Sequence, residues 1–121
     1  MYALLVSLLL GVQDTSVLTV PVVEAKEVVW TKETMMEFAS TTASEYGLNV
    51  PKFLKVISCE SQWDRYAIGD AGKSFGLVQI HLPAHPTVTK EEAFNPVFAI
   101  TFMAKAWKAD RASMWTCWRN I

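Results

Sequence analysis

The chain predicts a mainly α domain with at most a small β element, on three observations. Apolar residues recur every three or four positions along residues 31–46, 51–62 and 96–107. Residues that start or stop helices stand at the borders of these runs: Gly47, Asn49 with Pro51, and Asn95. Between the second and third runs, residues 64–82 are rich in turn formers and leave room for only a short strand or two.

The elements follow in chain order. Residues 3–12, ALLVSLLLGV, form an uncharged apolar run of signal-peptide length. Gln13 and Asp14 end it short of the roughly 20 apolar residues a spanning helix needs. A second apolar stretch over 17–23 is broken by Pro21, and Val23-Glu24-Ala25 has the small-residue pattern of a cleavage site, leaving Lys26 as a mature start. No positive charge precedes the run, so a buried strand or helix of the domain is the other reading. Residues 1–25 are therefore expected to be a leader and residues 26–121 the domain. In the first helix Met35, Ala39, Ala43 and Tyr46 share a face, and Gly47 stops it. In the second, Asn49 caps and Pro51 suits the first turn, while Phe53, Ile57 and Glu60 share a face with Val56 beside them. Residues 75–80 are too short to classify. Pro83 and Pro86 keep HLPAHP out of a regular helix. Thr89 with Glu92 makes a capping box for a short helix. Asn95 caps a longer one whose face carries Val97, Ile100, Ala104 and Trp107, widened by Phe98 and Phe102, so it is expected to be central and buried.

Composition narrows the function classes. At 121 residues the chain holds one domain with a modest core, and 51% hydrophobic residues argue against disorder. A formal net charge of −1 removes the electrostatic case for a nucleic-acid partner. Interspersed charges give no membrane-surface patch. Cys59 and Cys117, behind an apparent leader, read either as a disulfide or as two reduced core thiols. A bridge would be worth roughly 4 kcal/mol in the chain-entropy account and would pin the second helix to the carboxy terminus. The expected compartment is extracytoplasmic, secreted or in the cell envelope.

Glu60 carries the chemistry. It ends an apolar helix one turn before a glycine-rich segment, on the face where a core residue belongs. Desolvation and the negative end of the helix dipole should both raise its pKa, which suits a general acid. Asp70, ten residues on across the turn, is either a second catalytic carboxylate or a turn former bonding its own backbone. His81 and His85 are four apart, but Pro83 between them breaks the helical geometry a metal pair would use, so no metal and no cofactor are expected. Trp63, Trp115 and Trp118 could stack on the rings of a ligand or fill the core.

Glu60-Ser61-Gln62-Trp63, followed by Gly69-Asp70-Ala71-Gly72-Lys73-Ser74-Phe75-Gly76-Leu77-Val78-Gln79-Ile80, resembles the active-site block of soluble lytic transglycosylases. It is equally similar to that of goose-type lysozymes, which share the lysozyme-like fold. With Asn95-Pro96 opening the later helix, the resemblance covers residues 50–107. It implies a lysozyme-like fold, Glu60 as the catalytic acid, and a sugar groove lined by Ser61, Ser74, Gly76, Gln79 and His81. The aromatic Tyr-Asn-Ala-Gly segment of the transglycosylases is missing, and Trp115-Thr116-Cys117-Trp118 stands at that end of the chain. Goose-type enzymes carry an acid where this chain has His81.

The resemblance thus implies cleavage of the β-1,4 bond between N-acetylmuramic acid and N-acetylglucosamine in peptidoglycan by a monomer acting on glycan strands. The transglycosylase version uses Glu60 as both acid and base and leaves a 1,6-anhydro end. The goose-type version hydrolyses the same bond, with Asp70 holding water. A non-catalytic peptidoglycan-binding domain is the reading from another class.

Overall fold

The computed structural model describes residues 28–121. The leader expected over residues 1–25, and the start at Lys26, lie outside the described residues. Helix α1 (Lys32–Glu45) begins on a reciprocal cap: the Thr31 hydroxyl accepts the Thr34 N–H at 3.1 Å, and the Thr34 hydroxyl accepts the Thr31 N–H at 2.8 Å. The chain leaves it through Gly47 at φ +70°, where a side chain would be strained. Helix α2 (Val50–Ser61) is capped by Asn49, whose side-chain oxygen accepts the Lys52 N–H at 3.0 Å, with Pro51 in its first turn. Phe53, Val56 and Ile57 are its buried face.

Three two-residue strands follow: β1 (Ile68–Gly69), β2 (Ser74–Phe75) and β3 (Ile80–His81). They pair antiparallel in chain order, with Ser74 opposite both Gly69 and His81. The unclassified residues 75–80 are thus the ends of two strands joined by a tight turn. A 3₁₀ turn at Leu82–Ala84 accommodates Pro83 at its start. Helix α3 (Lys90–Phe94) has the Thr89–Glu92 capping box expected of it. In helix α4 (Pro96–Lys108), the Asn95 side chain accepts from Val97 and Phe98. A second 3₁₀ turn at Ala112–Met114 leads to a final short helix, α5 (Thr116–Arg119).

The result is mainly helical with a small three-stranded antiparallel sheet, as the sequence predicts. Helix α4 is the central element, and α1 and α3 pack directly on it. Ile100, Met103 and Ala104 are fully buried, and Trp107 sits edge-on to Phe53 of α2 at 5.2 Å between ring centres. Each large side chain buried here contributes about 1.5–3 kcal/mol. Val97 departs from the expected pattern. It is 45% exposed, because the buried arc of α4 centres on Ile100, Met103 and Trp107 and leaves Val97 at its edge.

Candidate active site

A cleft of about 930 Å³ opens where three parts of the chain meet. Glu60 enters from the end of α2, and Asp70, Ser74, Gln79 and His81 enter from the sheet and its turns. Phe102 of α4 and Trp115, Thr116 and Cys117 of the carboxy-terminal segment complete it. Its volume is in the range of clefts that take small organic ligands.

Glu60 is half-buried here. Burial pushes its carboxyl above the ordinary glutamate value of 4.5; the Cys117 N–H, 3.4 Å from Oε2, pulls the other way, and the charge of Asp70 adds to the rise. The acid therefore holds its proton to higher pH than a solvated glutamate, the state from which it can donate to a leaving oxygen. Cys117 is held in place by its disulfide to Cys59, the residue before Glu60. The bridge thus fixes the backbone donor that, among the described residues, reaches the carboxylate. A structural disulfide of this kind fits an oxidising, extracytoplasmic environment.

Asp70, Ser74 and His81 form a second polar group in the cleft. The register places Ser74 opposite His81, and their side chains meet at 3.0 Å between Oγ and Nδ1. The Ser74 hydroxyl donates to Asp70 Oδ2 at 2.5 Å, and His81 Nδ1 lies 3.8 Å from the same oxygen. With its hydrogen given to the carboxylate, Ser74 Oγ is left to accept from Nδ1–H, the tautomer that leaves Nε2 as an acceptor. Asp70 itself stands at φ +50° in a turn that Ala71 and Gly72 continue in the left-handed region. Aspartate tolerates that region better than most residues, and the Ser74 bond ties its side chain down. Asp70 thus sits in the turn, but its carboxylate bonds the Ser74 hydroxyl and not the backbone amides expected of a turn former.

Two expected groove residues lie elsewhere. Ser61 is buried; its hydroxyl donates to Ile57 O at 3.2 Å and accepts the Trp63 N–H at 3.1 Å, closing the end of α2. Gly76 is buried at φ +86° against the Ala93 carbonyl, where any Cβ would collide with the backbone. Gln79 does line the cleft, but its amide nitrogen is committed to Ala67 O at 3.2 Å and Gly76 O at 3.1 Å, so it shapes the turn. Of the three tryptophans, Trp115 alone lines the cleft, with Nε1 donating to Val78 O at 2.7 Å. Trp63 is a core residue, and Trp118 lies under the Lys52 ammonium, 4.6 Å from its ring centre. Lys73, Phe102, Met114 and Thr116 join the cleft without having been expected there. For Phe102 the signal was its place on the widened face of α4. Among the described residues no group of three or more His, Cys, Asp or Glu is gathered as a metal site, and His85 packs edge-on to Phe102 at 5.0 Å.

Fold and site together define a small, disulfide-bonded helical protein with an acid-bearing cleft. Comparison with known proteins finds no matching family model, no matching curated protein and no matching solved structure.

Proposed function

We propose that the chain is a peptidoglycan-cleaving lytic transglycosylase of lysozyme-like type, acting on the β-1,4 bond between N-acetylmuramic acid and N-acetylglucosamine. The observation that carries the reading is the half-buried Glu60 carboxyl, raised by burial, in a cleft it shares with Asp70, Ser74 and His81. The residues that build this arrangement are those of the Glu60–Trp63 and Gly69–Ile80 blocks, and the disulfide suits an enzyme secreted or held in the cell envelope.

In this reading Glu60 gives its proton to the glycosidic oxygen as the bond from C1 breaks, and the departing sugar leaves as an alcohol. The C6 hydroxyl of the muramic acid then attacks C1, and the Glu60 carboxylate takes the proton that this hydroxyl loses. Glu60 ends as it began, no water is consumed, and the product carries a 1,6-anhydro ring. The Phe102 and Trp115 side chains supply apolar surface for sugar faces, and Asp70 supplies negative charge where positive charge develops on the ring.

One observation favours a second reading, goose-type hydrolysis. The charge of Asp70 acts on Glu60, so two carboxyls share the cleft, as a water-activating enzyme requires. Against it, one Asp70 oxygen is occupied by the Ser74 hydroxyl, and His81 stands beside it. The mass of the muropeptides released from purified peptidoglycan decides between the two. Anhydro products, one water lighter than reducing ends, support the transglycosylase. Reducing ends move the assignment to a hydrolase, and no release by the folded protein leaves a binding domain.

A further inference from the structure

A recess of about 220 Å³ adjoins the cleft. His85, Phe102 and Met114 line both, so the two are neighbours that share a wall. The recess differs from the cleft in charge. Lys105 and Arg111 line it, and no acidic residue does. Among the described residues the single ion pair within 4.0 Å is His81–Asp70 in the main cleft, so no carboxylate of those residues pairs with either cation. Asp110 precedes Arg111 in sequence but pairs with neither cation.

The position of Arg111 is built into the fold. Helix α4 ends with Asp110 N–H donating to Trp107 O at 3.0 Å and Arg111 N–H donating to Ala106 O at 2.8 Å. These are the paired bonds of a Schellman helix end, and they turn the chain back over the last turn of α4. Asp110 occupies the left-handed position, at φ +61°, where glycine is customary. The reversal brings Arg111 to the same recess as Lys105. The main cleft therefore holds the carboxyls of Glu60 and Asp70 with the Lys73 ammonium, and the neighbouring recess holds the cations Lys105 and Arg111.

We propose that this recess is a carboxylate-binding subsite, and that it takes the acidic peptide substituent of the glycan. The proposal rests on the glycan-cleaving reading of the cleft. Neutral N-acetylhexosamines offer a pair of cations nothing to neutralise. The muramic acid units carry peptides with free carboxylates, which a guanidinium can bind through two parallel hydrogen bonds while an ammonium adds a point charge. Phe102 and Met114 give the apolar part of such a peptide a surface to lie on. Binding in this recess would fix the direction in which a strand lies across Glu60 and would make the enzyme prefer peptide-bearing strands.

The test compares two muropeptide fragments of equal length, one with free peptide carboxylates and one with those carboxylates amidated. Dissociation constants are measured by titration calorimetry on protein carrying Glu60→Gln, so that nothing is turned over. The free form should bind about tenfold more tightly than the amidated form. Adding Lys105→Ala and Arg111→Ala, both at exposed positions, should bring that ratio close to one. A ratio near one before those changes, or one that survives them in protein with an unchanged circular dichroism spectrum, overturns the subsite. Failure of the folded protein to bind either fragment would sink the glycan reading itself, and the subsite with it, whereas equal binding of both sinks the subsite alone.

Discussion

Burial is the largest influence on the Glu60 carboxyl, and it has a consequence for stability whose sign is fixed. Its folded pKa lies above the 4.5 of the unfolded chain, so the native state keeps a proton that the unfolded state has already lost. Stability is unpenalised below that value and declines as pH rises through the folded pKa. Glu60→Gln removes the penalty, so the variant should melt at or above the parent temperature at neutral pH, with the gap closing below about pH 4.5. Melting curves across pH check this; a variant markedly less stable at pH 7 would contradict it. Glu60 was legible in the sequence because helix phase and the following glycines identify it together. Ser61 was not, because successive helix residues point roughly 100° apart, and the neighbour of a cleft residue is turned into the core. Ser61→Ala should therefore cost about 1–3 kcal/mol by leaving the Trp63 N–H unpaired, and should leave KM unchanged. Denaturant unfolding and steady-state kinetics separate the two effects.

The helices expected over 31–46, 51–62 and 95–107 were legible to within a residue or two, and Asn49, Thr89 and Asn95 all cap as expected. The final helix α5 was not, since no side chain caps its start. The strands were not, since two residues carry no period. What defines them is tertiary: Gly76 lets the β2–β3 turn lie directly on the Ala93 carbonyl. Gly76→Ala combines a backbone collision with a left-handed alanine, which alone costs about 1–2 kcal/mol. Thermal unfolding should show a loss larger than that figure. A Gly76→Ala protein as stable as the parent would mean that the turn does not sit against α3 as described.

Across the whole molecule, the cleft depends on contacts between residues far apart in the chain. The Cys59–Cys117 bridge, the Trp115–Val78 hydrogen bond and the Cys117–Glu60 contact join the carboxy-terminal segment to the acid and the sheet. The sequence displayed both cysteines but offered no sign that Trp115 reaches Val78, or that Trp63 and Trp118 turn away from the cleft, because no local pattern encodes such pairings. Replacing Cys59 and Cys117 by alanine should lower Tm, should cost up to the roughly 4 kcal/mol of stability in the chain-entropy account, and should lower kcat as the Cys117 N–H loosens from Glu60. Calorimetry and turnover assays on the same protein check both. Whether Glu60 is the acid of a glycan-cleaving cleft is decided by the rate at which Glu60→Gln protein releases muropeptides from peptidoglycan. The change keeps the side-chain shape and removes the titrating proton, so with folding unchanged the rate should fall at least about 100-fold. A folded Glu60→Gln protein that releases muropeptides at close to the parent rate would contradict that reading.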